Sequence, residues 1–287
     1  MRVLKHASAQ LLDDRHARSV RAVLATDPVM SCMVAARIEN GGLDPWRLGG
    51  ELWGFTSDPE RGRNAQLTGL CFSGANFVPL CGGRSAIRAF ADRAACRARC
   101  CSSIVGPADQ VLALWSRLGE CWGPAREERP DQPLLVLPGP PRVPADPLVR
   151  AVRPNELDQY LPAAVAMFTE EVGIDPRLPD GGTGYRARVA ELIAAGRAFA
   201  RFEADEVVFK AEIGAMSSTV GQIQGVWVHP DRRGHGLAAA ATAAVVLHLQ
   251  RLGRVASLYV NAYNQPARAA YRRVGFTQVG CFATVLF

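Results

Sequence analysis

The sequence predicts an α/β (α+β) fold in two domains, each a mixed, mainly antiparallel sheet flanked by helices. Three observations carry that expectation. At 287 residues the chain exceeds one small domain. Eight prolines fall between Pro124 and Pro147, a density no helix tolerates. The order of helix-prone and strand-prone runs after the prolines also recurs before them. The expected division is 1–137, a Pro-rich linker at 138–148, and 149–287.

In the second half, Asn155 is placed to cap a helix carrying Leu157, Leu161, Val165 and Phe168, and Tyr185 to Ile193 mark a second helix closed by Gly196. Three β-prone runs follow, Ala198 to Glu203, Val207 to Ala215 and Gly221 to His229, split by short polar segments as in an antiparallel meander. Gly236 to Leu252 is an Ala-rich helix, Ser257 to Asn261 a strand and Pro266 to Val274 a helix ending at Gly275. Two short strands finish the chain. The first half reads comparably: helices near 13–26 and 28–39, strands near 50–56, 66–72 and 76–80, helix Arg84 to Cys96, strand Cys101 to Val105, helix Pro107 to Leu118. An internal duplication and a generic α+β order both produce that pattern, and the residues leave the two open.

Composition excludes several classes. With 48% hydrophobic and 21% charged residues and no apolar run long enough for a span, no membrane partner is expected. The segment MRVLKHASAQLLDDRHARS carries charge too early for a signal peptide, so the expected location is cytoplasmic. Net charge is +6, and all but Lys5 and Lys210 of the 33 basic residues are arginine. Without basic runs interleaved with aromatics, no nucleic-acid partner is expected. The eight cysteines read as buried free thiols rather than disulfides, and Cys96, Cys100 and Cys101, with His6 and His16 far off in sequence, lack the spacing of a metal site. No metal is expected.

The chemistry concentrates in Gln222 to Ala238, a strand passing through a glycine-bearing turn into a helix. There Arg233, Gly234, His235, Gly236, Leu237 and Ala238 offer successive backbone N–H groups at a helix N-terminus, an arrangement suited to a pyrophosphate. The preceding meander argues against a dinucleotide fold of the βαβ kind, and no Gly-Lys-Ser/Thr follows for a Walker loop. A second stretch, Leu258 to Phe276, holds Asn264, Ala267, Tyr271, Gly275 and Phe276.

Taken together, the two stretches resemble the GNAT superfamily of N-acetyltransferases. Arg233, Gly236 and Ala238 meet its Arg/Gln-x-x-Gly-x-Gly/Ala pattern, and Asn264, Ala267, Tyr271, Gly275 and Phe276 meet its second element. The resemblance covers about residues 150–287 and implies a splayed sheet whose gap takes the pantetheine arm of acetyl-coenzyme A, with coenzyme A as product, along the backbone at Val226 and Val228. It further implies transfer of an acetyl group to a primary amine by direct attack, Tyr271 protonating the departing thiolate, and Asn264 binding the cofactor or capping its helix.

The sequence departs from the family where many members place a glutamate on the strand before the turn: here stand Gln222 and Gln224. The expected substitute base is Glu212 with Lys210 beside it, alternating onto one face with Val208; an ordinary surface ion pair explains the same residues. Glu170 and Glu171 end the first helix in a region that, by the resemblance, lines the acceptor site; they read either as attracting an amine or as a solvated helix end, and His229 and His235 as structural or anion-facing. The turn Leu80 to Ala86 lacks the motif spacing, and its domain resembles the degenerate N-terminal half of two-domain bacterial GNAT proteins. The alternative function is a non-catalytic acyl-coenzyme A sensor or assembly module. The amine acceptor is unnamed, and a homodimer stays open.

Overall fold

The computed structural model describes residues 8–56, 66–178 and 180–287. Lys5, His6 and the start of the segment on which the export reading rests lie outside them. The chain divides into two compact units, one of residues 1–134 with 278–287 and one of residues 135–277. This differs from the expected division at both ends. The last ten residues leave the C-terminal stretch, and the strand Glu127–Leu137 stands where the proline-dense region was expected to hold at most a short strand at Leu134 to Leu137, ahead of the linker at 138–148.

The first unit runs β1 (Gln10–Leu11), α1 (Ala17–Leu24), α2 (Cys32–Gly41), α3 (Pro45–Leu48), β2 (Gly50–Thr56), β3 (Leu67–Gly74), β4 (Asn76–Cys81), α4 (Arg84–Ala95), β5 (Ser103–Pro107) and α5 (Ala108–Trp122), and β6 (Glu127–Leu137) begins in it. β1 to β4 pair antiparallel in sequence, while β4 and β5 are parallel over only Asn76↔Ser103 and Phe77↔Ile104. Its core joins Trp53, Phe77, Phe90, Val111, Leu114 and Leu118, with Ala283 and Val285 from the end of the chain.

The second unit continues with β7 (Arg150–Ala151), α6 (Leu157–Val172), α7 (Thr183–Ala194), β8 (Ala198–Glu203), β9 (Glu206–Met216), β10 (Val220–Val228), α8 (Leu237–Arg251), β11 (Val255–Tyr259) and α9 (Gln265–Val274). Its strands lie in the order β11-β10-β9-β8-β7, antiparallel except at β10 and β11. Each unit is therefore a mixed, mainly antiparallel sheet with helices against it. Period-2 alternation sends Phe209, Ala211 and Ile213 of β9 to α8, where Val245, Val246 and Leu249 meet them. Gly221 is on that face because a Cβ there would run into Leu249. The opposite face packs Tyr160, Ala163, Ala164 and Met167 of α6 against Val207 and Trp227.

Several local expectations need correction. Asn155 does not cap α6; it sits in a short 3-10 turn, Pro154–Glu156, where the Glu156 carboxylate accepts the Arg153 N–H at 2.8 Å. The two final strands are one, β12 (Thr277–Leu286), antiparallel to β5 from Phe282↔Pro107 to Leu286↔Ser103. Only Cys32, Cys71 and Cys101 of the eight thiols are buried, whereas Cys96, Cys100 and Cys121 are exposed. Burial pushes the Cys71 thiol well up, which keeps it protonated and unreactive. Among the described residues no cluster of three or more His, Cys, Asp or Glu could hold a metal ion, and no helix is long and apolar enough to cross a membrane.

Candidate cofactor cleft

The cleft of the second unit begins where two strands part. β10 and β11 pair in parallel from Val220↔Val255 to Gln222↔Ser257, and then each runs on without the other. β10 also leaves its ladder with β9, since the register shifts between Gln224 and Trp227. The bulge turns on Gly225, whose φ of +56° suits glycine. A Cβ there would stand 2.9 Å from Met167 and 3.2 Å from the Lys210 ammonium. Beyond the bulge, Val226 and Val228 present backbone to an open edge, where a ligand can add as a strand does.

The turn after β10 delivers the chain to α8. Gly234 and Gly236 both sit at φ of +80°, and Gly236 is the N-cap with no side chain capping the helix and no acidic residue in its first turn. No carboxylate of α8 itself therefore offsets the amides of that turn, which line the cleft, and the helix dipole adds to them. α9 closes the other side. Asn264 caps it, its Oδ1 accepting the Ala267 N–H at 3.2 Å, worth about 1 kcal/mol.

These elements enclose a cavity of about 530 Å³. Every sequence-predicted cofactor residue lines it except His235: Val226, Val228, Arg233, Gly234, Gly236, Leu237, Ala238, Asn264 and Ala267. His235 instead sets its Nδ1 2.8 Å from the Arg233 carbonyl. His229 lies outside the lining too, with Nε2 3.2 Å from Glu206.

Tyr271 lines the cavity while its ring packs edge-on to Phe276, centroids 6.0 Å apart, so the packing and lining roles coincide. Its acidity is not the ordinary one. Burial, with the Glu171 charge adding to it, pushes the hydroxyl well above the usual tyrosine range.

Glu212 is not brought to the cavity. Its carboxylate lies 2.5 Å from the Lys210 ammonium and 3.4 Å from the Tyr160 hydroxyl, which donates to it. Lys210 is 0% exposed and Glu212 5%, so this is not a surface pair; the second carboxylate oxygen of Glu212 would lie 3.6 Å from a Cβ on Gly225, behind the bulge rather than in the lining of the cavity. The Val208–Lys210–Glu212 face meets α6, whose large side chains cover it. Burial and the Glu212 charge hold the Tyr160 hydroxyl well up, which keeps it a donor. Gln222 is buried with its Nε2 unpartnered.

The sequence marks Glu170 as a candidate at the end of a helix but not its partners. Glu170 lines the cavity, and its carboxylate takes the Arg233 Nη2 at 2.8 and 3.0 Å and the Trp227 Nε1–H at 3.1 Å. The partners lie 57 and 63 residues away, so no local pattern marks them. Sequence reasoning missed Arg273; a Cβ on Gly236 would lie 3.8 Å from its guanidinium.

Comparison with known proteins bears on the fold. Residues 208–285 match the FR47-like protein family, and residues 50–160 match a domain of unknown function. The mycothiol acetyltransferase of Pseudarthrobacter chlorophenolicus is 43% identical over 60 residues, 21% of this chain and 19% of that protein. That of Cellulomonas flavigena is 41% identical over 70 residues, 24% and 20%. The chain thus matches about a fifth of the length of these curated relatives. Among solved structures, a GCN5-related N-acetyltransferase from Sphaerobacter thermophilus superposes with a TM-score of 0.58 at 17% identity, covering 98% of this chain and 96% of that one. A GNAT-family acetyltransferase from Colwellia psychrerythraea gives 0.56 at 11%, covering 98% and 99%. The chain carries an FR47-like domain toward its C-terminus, and the fold is that of GNAT acetyltransferases.

Proposed function

We propose that this chain, with its FR47-like GNAT domain, is an acetyl-coenzyme A dependent N-acetyltransferase acting on a primary amine. The observation that carries the reading is one cavity in which uncapped amides of α8, the open backbone at Val226 and Val228, and Tyr271 converge. The cofactor pyrophosphate would lie on the amides of α8, and the pantetheine arm along Val226 and Val228. The thioester would then approach Tyr271.

The neutral amine attacks the thioester carbon directly. As the C–N bond forms, the attacking nitrogen would lose a proton to solvent, and the C–S bond would break with its electron pair going to sulfur, giving the amide and the coenzyme A thiolate. A Tyr271 hydroxyl held above its usual range remains protonated and donates a hydrogen bond to the developing thiolate, stabilising it as charge appears. Glu212, bound to Lys210, does not serve as base in this reading. Among the residues lining the cavity, Glu170 is the carboxylate. The amine belongs to the class of small-molecule or protein primary amines.

The test is release of free thiol from acetyl-coenzyme A over a panel of primary amines, with cofactor binding followed by calorimetry. Binding with amine-dependent thiol release supports the reading; binding without turnover on any amine favours the acyl-coenzyme A sensor, and absence of binding removes both.

A further inference from the structure

The phosphate end of the cleft is occupied by its own side chains. Arg233 sits at the mouth of the α8 turn, where a cationic group meets a diphosphate, yet its guanidinium is already committed. Nη2 is bonded to both oxygens of Glu170, and Nε donates to the Val228 carbonyl at 2.9 Å. Glu170 comes from α6 and is steadied by Trp227 of β10. The link therefore crosses the cleft from α6 to the turn, and on the way takes the same carbonyl that a pantetheine arm would need. Both partners are 48% exposed, so the bond is a weak, exchangeable one.

We propose that Glu170 is a positioning residue that locks Arg233 across the cleft, and that a diphosphate opens the lock by exchanging with Glu170 for the guanidinium. The inference rests on the acetyltransferase reading. A diphosphate can displace the carboxylate because it brings more charge to the same guanidinium and gains the α8 amides, which Glu170 does not use. Opening also returns the Val228 carbonyl to the cleft. The exchange has a thermodynamic consequence: cofactor binding carries the work of breaking the ion pair, so removing Glu170 tightens the cofactor, whereas a carboxylate that merely preorganised Arg233 would weaken it when removed.

The experiment is calorimetric titration of acetyl-coenzyme A into the full chain as wild type, Glu170→Gln, Arg233→Ala and the double variant. Trp227 fluorescence is read in parallel as the difference between each protein and its Trp227→Phe counterpart. An exposed pair of roughly 1 kcal/mol predicts tightening of about fivefold in Glu170→Gln at low salt, shrinking in high salt. In the Arg233→Ala background the same substitution gives a smaller change, because the lock is already absent. Two probes separate the cause: inorganic pyrophosphate shifts the Trp227 signal as acetyl-coenzyme A does, and acetyl-pantetheine, which has no phosphate and competes only for the Val228 carbonyl, shifts it less; a larger shift with acetyl-pantetheine than with pyrophosphate overturns the exchange. Weaker or unchanged cofactor affinity in Glu170→Gln, or an equal effect in both backgrounds, overturns the lock while leaving the acetyltransferase reading intact. A wild-type protein that binds no acetyl-coenzyme A overturns both.

Discussion

The two units repeat one plan and differ in what stands at the end of it. In each, a meander leads to a strand that pairs briefly in parallel with the strand after the next helix, β4 with β5 and β10 with β11, and then parts from it. Each opening leads to a cavity. That of the second unit is about 530 Å³ and is lined by Arg232, Arg233 and Arg273 beside the α8 N-terminus. That of the first is about 260 Å³, and its charged lining residues are Asp27 and Asp109. The turn Gly82-Gly83 opens α4 much as Gly234 to Gly236 opens α8, but α5 turns Val111, Leu114 and Leu118 into the core where α9 turns Tyr271. The same backbone plan thus carries different side chains at its opening. The first unit has a smaller cavity, whose described lining holds two carboxylates and no guanidinium, and an aliphatic helix face where the second has a phenol; on the proposed function, a phosphate-bearing thioester is expected to bind the second unit alone.

Matched substitutions sharpen this contrast, and the largest effect is expected at the turn. Gly236→Glu places a side chain at φ of +80° and a carboxylate at the phosphate end, and should lower acetyl-coenzyme A affinity beyond detection. Gly83→Glu, at an ordinary φ of −73° with nothing within 4 Å of its Cβ, should leave that affinity unchanged. Loss of binding in the second variant would break the comparison.

The next effect concerns stability. Lys210→Met strands the Glu212 carboxylate in the second unit and should lower unfolding free energy by about 3–5 kcal/mol in urea titration. The double variant Lys210→Met, Glu212→Leu should recover most of it, since two apolar side chains replace a buried pair at little cost. If the double variant loses activity while regaining stability, Glu212 has a catalytic role after all.

Tyr271→Phe should reduce turnover by roughly 10- to 100-fold with cofactor affinity within about twofold, the ring packing on Phe276 being retained. Because burial raises the hydroxyl, wild-type rate should show no loss from its ionisation up to about pH 10. A falling limb near pH 9 that vanishes in Tyr271→Phe would contradict the environment described.

The smallest effect is one the units share. Each has an arginine-paired carboxylate before its first long helix: Arg15 holds Asp13 down to about 2, and Arg150 holds Glu156 down to about 2. A carboxyl depressed on folding stabilises above its unfolded value and loses that contribution as pH falls toward its folded one. For Glu156 this means a decline between about pH 4.5 and 2, below about 1 kcal/mol because Arg150 is partly exposed. Glu156→Gln should flatten that part of the acid-stability curve.

What the sequence made legible was local. Gly196, Gly253 and Gly275 end their helices at φ of +66°, +70° and +115°, and Asn264 caps α9, so the helices and meander of the second unit were readable from neighbours in the chain. The glycine turn and Tyr271 were readable because motif spacing converts directly into position on α8 and α9. What escaped was nonlocal. Alternation put Lys210 and Glu212 on one face but gave no sign that α6 covers it. Nothing near Glu170 announces Arg233, and no pattern in Thr277 to Leu286 assigns the segment from Gln278 onward to the first unit. Pro130 and Pro133 hid the start of β6 because proline density suppresses a strand signal.

The central claim, that one unit of the two is built for the cofactor, is tested most directly by the stoichiometry of acetyl-coenzyme A binding to the full chain in calorimetry. A single site that disappears in Gly236→Glu is the predicted result; two sites, or a site that survives that substitution, would contradict it.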